Sequence, residues 1–402
     1  MHILMIAPEP FLEPRGTPFS VYHRAKALGL LGHTIDLVAY PIGKDVSLPR
    51  VHVYRAWRIP FIQHVKIGPS LAKLPLDALL FLRALGLLLR RHYDCIHTHE
   101  EAGVFGGLIS WAMNMPHIYD MHSDLAQQMT NFQFTCSQFL IKMMRAVERF
   151  IVRSASVVIV ICPELQEVVA ALAPGKPVVL IENTAVAAQE VEQSANQDQM
   201  AARIERLRRE LALPAQSGPL LVYTGTFESY QGLDLLIASM PEVLAAFPQA
   251  TYILVGGQPD QAAALAEQAR RLGVSHALRL PGQRPPEEMP LFMQIADILL
   301  SPRNQGTNTP LKIYSYLHAG KPLLATNIRS HTQVLTADVA VLVDPTREGL
   351  TQGTIALLSD SALRNRLAAN AQALAVRSYS YETFLAQTAR PYDLLTSRVK
   401  LT

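Results

Sequence analysis

An apolar run ending at Ser301 leads into Pro302-Arg303-Asn304-Gln305-Gly306-Thr307-Asn308-Thr309-Pro310, and a helical pattern then runs from Leu311 until Gly320 stops it. Pro310 suits the opening of a helix, where its missing N–H costs nothing. Backbone N–H groups around Asn308, Thr309 and Leu311 are then available to an anion, and the helix dipole favours a pyrophosphate there. Arg303 and Lys312 add positive charge. An ordinary capped helix is the plain alternative, and the density of small polar residues argues against it.

Three other segments carry chemistry by residue type. Gly225-Thr226-Phe227-Glu228-Ser229-Tyr230-Gln231-Gly232 joins an apolar run to an amphipathic helix. A loop bounded by glycines can reach phosphates through its N–H groups, although such loops often carry Gly for turn geometry alone. Arg15-Gly16-Thr17-Pro18 stands before a helix that begins near Phe19. Arg15 supplies charge there, and Gly16 admits a ligand close to the backbone. The pattern is not GxGxxG, so a dinucleotide has little support, and a glycine turn closed by a proline explains it equally well. His97-Thr98-His99-Glu100-Glu101 and Asp120-Met121-His122-Ser123-Asp124 end two strand-like runs. These are metal-ligand types, but no spacing singles out a metal. The preferred reading is polar lining of a crevice, with His122 donating a hydrogen bond to a ligand hydroxyl; a structural histidine is the alternative.

The elements that must position these residues follow a simple pattern. Ile3 to Ala7, Thr34 to Tyr40, Val51 to Arg55, Asp94 to His97, His117 to Asp120, Val157 to Ile161 and Val178 to Glu182 read as strands separated by helices. Short Val- and Ile-rich runs of this kind mean parallel strands covered on both faces. Residues 189–199 turn polar, and with the segment up to residue 218 they read as a connector. A second series follows: Leu220 to Tyr223, Thr251 to Val255, Ala277 to Leu280, Ile298 to Ser301, Pro322 to Thr326 and Val339 to Val343. The expectation is an α/β chain of two Rossmann-like parallel-sheet domains facing a cleft, with ligands at the carboxyl ends of the strands. The expected boundaries are 1–188, a linker at 189–218, 219–378, and a last helical segment at 379–402.

Bulk properties narrow the function classes. The 402 residues, 49% hydrophobic and 17% charged, suit two globular domains. A net charge of +3 without an arginine-rich tract argues against nucleic acid. Cys95, Cys136 and Cys162 form no zinc motif, and so sparse and odd a count fits a reducing cytosol. The run Met1 to Pro8 is too short for a signal peptide and reads as a buried strand. Leu74 to Leu89 contains Asp77 and Arg83 and falls short of the ~20 apolar residues of a membrane span.

With these residues in place, the chain resembles a known family. Gly225 to Gly232 followed by Leu233-Asp234-Leu235-Leu236, then Val255-Gly256-Gly257, Ala296-Asp297 and Gly306 to Pro322, are similar to the retaining glycosyltransferases of GT-B fold, family four. The first half agrees through Gly16, Tyr93-Asp94-Cys95-Ile96-His97, Tyr119-Asp120-Met121-His122 and Ile181-Glu182-Asn183. The resemblance covers essentially the whole chain. It implies an N-terminal acceptor domain, a C-terminal nucleotide-sugar domain, a last helix crossing back to the first domain, and transfer with retention needing no metal and no cofactor beyond the nucleoside-diphosphate sugar substrate. On it, His122, Lys312 and Asp120 are the expected catalytic set. Gly16, Gly225, Thr226, Gln231, Gly256, Arg284, Arg303, Thr307, Asn308, Thr309, Leu311 and Ser315 are the expected donor contacts. Arg15, Thr17, His99 and Glu100 are the expected acceptor contacts.

The family commonly places two glutamates where this chain has Thr307 and Ser315, and basic residues where it has Thr226 and Gln231. Charge is then expected from Arg303, Lys312 or Arg284. Tyr54 to Arg91 mixes Arg55, Arg58, Lys66, Lys73, Arg83, Arg90 and Arg91 with Trp57 and Phe61. That composition suits an anionic membrane surface, or equally a buried Leu-rich helix with basic residues snorkelling at its rim. The acceptor expected is a glycan or a lipid-linked sugar, and the place the cytoplasm, with peripheral contact at the inner membrane face. Two other readings stand beside transfer: a catalytically silent GT-B protein that binds a nucleotide, glycan or partner, and a nucleotide-sugar epimerase on the same architecture.

Overall fold

The computed structural model describes residues 1–12, 16–62, 65, 70, 73–126, 137–182, 197–214 and 218–399. The chain divides into two compact units, one of Met1–Asn183 with Glu382–Thr402 and one of Thr184–Tyr381. Arg15, Lys66 and residues 189–196 and 215–217 of the expected linker lie outside the described residues.

The first unit is built on a seven-stranded sheet of order β3-β2-β1-β4-β5-β6-β7. Its strands are β1 His2–Ala7, β2 Thr34–Ala39, β3 Val51–Arg55, β4 Cys95–His99, β5 His117–Met121, β6 Val157–Val160 and β7 Val178–Leu180. Every neighbouring pair is parallel. Ile3 to Ala7 are all fully buried, with no alternation, because helices cover both faces. Those helices are α1 Gly16–Leu30, α2 Lys73–Leu88, α3 Gly103–Met113, α4 Gln138–Ser154 and α5 Pro163–Leu172. The strand order reverses between β1 and β4. The loops after these two strands therefore diverge, and that is where an open parallel sheet takes ligands.

The second unit repeats the plan with six strands in the order β10-β9-β8-β11-β12-β13. They are β8 Leu220–Thr224, β9 Thr251–Val255, β10 Leu278–Gly282, β11 Ile298–Ser301, β12 Leu323–Thr326 and β13 Val341–Val343. Its helices are α6 Gln197–Glu210, α7 Leu233–Ala246, α8 Pro259–Arg271, α9 Met289–Ile295, α10 Leu311–His318, α11 Arg329–Thr332, α12 Arg347–Ser359 and α13 Ser361–Ser378. Here the order reverses between β8 and β11, the two strands that carry the Gly225 and Gly306 loops.

Two expectations change. The connector expected at 189–218 is narrower, because α6 buries Leu207, and Leu211 just after it, in the second core. Its charged surface hid that apolar edge. The helix α12 was not foreseen, since Gly349, Gly353 and three threonines depress helix propensity over 346–354. Tertiary packing overrides this: Gly353 lies against Leu324 and Val343, where a Cβ would come within 2.6 Å, and the Thr346 hydroxyl caps the helix at the Gly349 N–H.

The chain ends in α14, Tyr381–Val399, which belongs to the first unit from Glu382 onward and buries Phe384, Thr388, Tyr392 and Leu395. No helix among the described residues is long and apolar enough to cross a membrane.

Beyond β8, β9 and β10 the ladder continues through glycines. Gly225 N–H donates to Val255 C=O, and Gly256 N–H to Gly282 C=O. Gly256 has φ +125°, and a Cβ on it would sit 1.9 Å from the Gly225 carbonyl oxygen. Gly256→Ala is expected to cost about 3 kcal/mol or more. Hydrogen exchange should show the loss in second-unit amides such as Val222 while Ile96 in the first unit keeps its protection; equal protection in both units would refute it.

Candidate active site

In the second unit the loop leaving β11 is pinned from several sides. The Arg303 guanidinium donates to the carbonyls of Gln305 (2.6 Å) and Asn308 (2.9 Å) and lies 5.1 Å over the Tyr230 ring. Gly306 is needed beneath it, since a Cβ there would fall 2.0 Å from the guanidinium. Gln333 donates to Thr307 C=O at 2.6 Å. His331 is held between Ser301 Oγ (2.9 Å) and the Thr326 carbonyl (2.9 Å), and the Thr326 hydroxyl bonds the Arg303 carbonyl. Burial pushes His331 down to about 3, so it acts as a neutral bracket. The Gly225 loop packs against this one: Asn304 N–H donates to Tyr230 C=O at 3.0 Å, and a Cβ at Gly232 would lie 2.1 Å from Pro302 C=O.

The loop ends at Pro310, and no side chain caps α10. Thr309 beside it is 5% exposed, and its hydroxyl has no hydrogen-bond partner. One residue into the helix, Lys312 Nζ lies 3.6 Å from the Tyr223 ring centroid and donates to Gln231 Oε1 at 3.2 Å. A Cβ at Gly225 would stand 3.0 Å from that ammonium. Burial, and after it the Arg303 charge, push Lys312 well below the usual lysine range. Among the described residues no carboxylate pairs with it. A helix N-terminus, an unsatisfied hydroxyl and a lysine amine without a carboxylate partner among the described residues, all at the strand-order reversal, make a place where a bound anion would favour the charged lysine.

The other expected donor contacts sort differently. Thr226 offers its carbonyl to the Tyr223 hydroxyl at 2.6 Å, and Ser315 is half-buried on α10. Arg284 is a correction: its guanidinium pairs with Glu210 and with Glu288 (3.7 Å) and donates to Pro281 C=O, so it ties α6 to the end of β10. Arg303 is likewise spent on loop carbonyls. Lys312 is the one of the three expected cations not engaged in holding backbone or a carboxylate.

In the first unit, period two puts His97 and His99 on one face of β4, with rings stacked at 4.7 Å. Asp120 on β5 pairs in register with His99. Its carboxylate takes Arg24 Nε at 3.0 Å, with both side chains buried, and lies 3.4 Å from His97 Nε2, 3.7 Å from His99 Nδ1 and 3.3 Å from His122 Nε2. Burial alone would raise this carboxyl, but Arg24, His122 and His97 hold it well below the usual range. Ligand atoms of His97, His99 and Asp120 lie within 4.8 Å of one another, as a metal set would, but the Arg24 guanidinium already meets the carboxylate's charge.

Asp120 and His99, expected to contact ligands, are both fully buried and lie against His122. His122 itself is 3% exposed, and its Nε2 lies 3.1 Å from His99 Nδ1. Glu100 follows with a left-handed φ of 49° and accepts from Ser123 Oγ at 2.7 Å. Gly16 and Thr17 form the open first turn of α1, with nothing within 4 Å of a Cβ at Gly16. Arg24, Thr388, Tyr392, His331 and Gln333 escaped the sequence reading. Apart from His331 and its neighbour Thr326, they lie far along the chain from what they touch, and only their pairing gives them away.

The description "Glycosyl transferase 4-like domain" matches residues 15–184, and "Glycosyl transferases group 1" matches residues 204–374. The chain belongs to the group 1 glycosyltransferases. Among relatives, phosphatidyl-myo-inositol mannosyltransferase of Mycobacterium tuberculosis is 26% identical over 404 residues, covering 98% of this chain and 97% of its own. Sucrose-phosphate synthase from Thermosynechococcus elongatus superposes with a TM-score of 0.76 at 19% identity over 99% of both chains. Anabaena HepE in complex with UDP-glucose does so at 0.72 and 19%, covering 98% of this chain and 99% of that one. At that identity the likeness shows the shared GT-B fold of two parallel-sheet α/β domains.

In this group 1 glycosyltransferase, burial pushes Glu100 up from 4.5 to about 7. The sign for stability follows. The contribution is complete below the unfolded value near 4.5 and is lost as pH rises through 7, on the order of 3 kcal/mol. Glu100→Gln should therefore gain stability relative to the native protein between pH 5 and pH 8 in paired thermal melts. Parallel curves would contradict the shift.

Proposed function

We propose that the second unit grips the diphosphate of a nucleotide-sugar donor and that a hexosyl group passes, with retention and without a metal, to an acceptor presented by the first unit. The observation that carries this is Lys312, a lysine with no carboxylate partner among the described residues, at an uncapped helix start beside Gly225. Charge that develops on a departing diphosphate is stabilised most by donors already in place in a dry site. Lys312 and the N–H groups opening α10 are such donors, with the Thr309 hydroxyl as a further contact.

Residues 301–320 contain no Asp or Glu. No carboxylate in this loop can form an ester with the sugar, and for the acceptor's proton the departing phosphate is our choice of base, since no other residue stands out for that role. The bond from the anomeric carbon to the phosphate oxygen breaks. The acceptor oxygen bonds to that carbon on the same face, and its proton passes to the leaving phosphate. His122, held by Asp120 and His99, contacts a hydroxyl of the transferred sugar. Thr17 and Glu100, at the β1 and β4 ends of the first unit, face the acceptor.

The test is a panel of nucleoside-diphosphate sugars followed by mass spectrometry and NMR, with and without a chelator. Transfer or slow donor hydrolysis with retention, indifferent to chelator, is expected. Lys312→Ala and His122→Ala should each lower kcat by about a hundredfold or more, and unchanged turnover in both would sink the assignment. Epimerised free donor would instead mean an epimerase, and binding without turnover a silent protein.

The acceptor we favour is lipid-linked, at the inner face of a membrane. Trp57, Phe61, Leu82 and Leu89 are exposed together with Arg58 and Arg90, and Trp111 and Phe139 are exposed on α3 and α4 beside Lys142 and Arg149. Phe81 of α2 and Phe105 of α3 touch at 4.8 Å, so these helices share one face. Lys73 and Arg91 do not count toward it, being paired with Glu101 and Asp36. The protein should co-sediment with phosphatidylglycerol vesicles at low salt and be released at high salt. No binding at low salt would remove the membrane from the proposal.

A further inference from the structure

One side chain of β8 touches two walls of the anion site. Tyr223 is fully buried near the end of that strand, and Lys312 Nζ of α10 lies 3.6 Å from its ring centroid. The Tyr223 hydroxyl donates to the Thr226 carbonyl at 2.6 Å. A Cβ at Gly225 would stand 3.0 Å from Lys312 Nζ and 3.0 Å from that hydroxyl. Gly225 is itself exposed, so both groups border an opening and not a sealed core. The second contact of Lys312, Gln231 Oε1 at 3.2 Å, comes from the far end of the same loop.

A lysine amine in such a place is pulled two ways. Burial and the Arg303 guanidinium favour the neutral amine, which attracts a diphosphate poorly. The negative face of an aromatic ring favours the ammonium, most strongly where water is excluded, and the Gln231 carbonyl adds to it. The other charged or titratable groups around this lysine and its ring are Tyr230 and Glu228 of the Gly225 loop, Tyr316 of α10 and His331 of α11. Burial keeps His331 neutral, Glu228 accepts from Gln261 Nε2 at 3.3 Å, and the Tyr316 hydroxyl bonds Thr224. That leaves the Tyr223 ring and Gln231 to oppose burial and Arg303. Packing at the end of β8 asks only for a large side chain. Drawing a lysine over that side chain adds the desolvation of a charge, which packing does not offset.

We propose that Tyr223 is a positioning residue for donor binding: its ring face seats the Lys312 ammonium at the edge of the diphosphate site, and its hydroxyl fixes the Gly225 loop beside it. The proposal rests on Lys312 meeting the donor diphosphate as described above. A bound diphosphate supplies the anion that this lysine lacks in the protein. Affinity for it therefore falls as pH rises through the titration of Lys312 in the free protein, and the ring sets where that fall begins.

The experiment uses the full chain with carbon-labelled lysine Cε, Lys312 assigned through Lys312→Arg, and inorganic pyrophosphate as the probe. Tyr223→Phe keeps the ring and loses the bond to Thr226. It should leave the Lys312 titration near that of the native protein and weaken pyrophosphate binding about threefold at every pH. Pentafluorophenylalanine in place of Tyr223 has nearly the shape of phenylalanine but the opposite charge on its face. There Lys312 should titrate about one pH unit lower or more, and pyrophosphate should bind about tenfold more weakly than to Tyr223→Phe. That gap should open as pH rises through the two lysine titrations and close below them, where both amines are protonated. Protection of the Val222 amide from exchange shows that each variant is folded. Equal titrations and equal affinities in the two ring variants overturn the proposal, and unaltered affinity in Tyr223→Phe overturns the part given to the hydroxyl. If Lys312→Ala binds pyrophosphate as the native protein does, the donor reading of Lys312 fails and takes the proposal with it, whatever the titrations show.

Discussion

A carboxylate buried inside a parallel sheet must be answered by charge and by hydrogen-bond donors, and Asp120 is where the first unit meets that demand. Its strand is buried along its whole length. Arg24 comes to it from α1, His97 and His99 from β4, His122 from its own strand end, and Thr388 and Tyr392 join the cluster from α14. The same demand therefore sets the placement of the first helix, the polar ends of two strands and the docking of the last helix. Loss of Arg24 would leave the Asp120 carboxylate buried without its cation, and loss of Tyr392 would leave His97 Nδ1 without its partner.

The second unit solves a different problem, that of keeping positive charge unspent. Arg303 and Arg284 have settled on carbonyls and carboxylates of the unit itself. Lys312 has the face of a tyrosine ring and an amide oxygen, contacts that favour its charged form while burial and Arg303 oppose it. Gly225 and Gly306 keep the surroundings of this lysine and of Arg303 clear of side chains, and Gly232 and Gly256 let the backbones of neighbouring loops approach within a Cβ radius. Tertiary structure thus decides which of three similar cations is left without a backbone or carboxylate partner among the described residues.

That distinction explains what could be read from the sequence. The parallel sheets were legible, because runs such as Ile3 to Ala7 and Leu220 to Thr224 are apolar without alternation and sit between helical patterns. The positions of the loops were legible too, since residue order places Gly225 and Ser301 at the ends of β8 and β11. Helix α12 was not, because Gly353 serves close packing on β12 and β13 rather than helix propensity, and its glycines and threonines mask the helical pattern. The commitments of Arg24, Arg284 and Tyr392 were not legible either. Each depends on a partner brought near only by the folded chain, and nothing local in the residue pattern marks it.

The exchange of the family's glutamates for Thr307 and Ser315 takes on a physical sense in this setting. A carboxylate near Lys312 would pair with it and satisfy a buried cation at the expense of its attraction for phosphate. On the proposed reading, with no Asp or Glu from Ser301 to Gly320, Lys312 and the opening N–H groups of α10 meet a diphosphate without competition from this loop. The same absence removes a strong acceptor for the hydroxyls of a ribose, for which Ser315 offers only a neutral one. On the proposed reading, the site gains grip on the part common to all nucleotide sugars and gives up some grip on the sugar of the nucleoside. Choice of donor must then fall on groups elsewhere in the strand-end loops, and an early test of several nucleoside diphosphates would carry more information than a test of one.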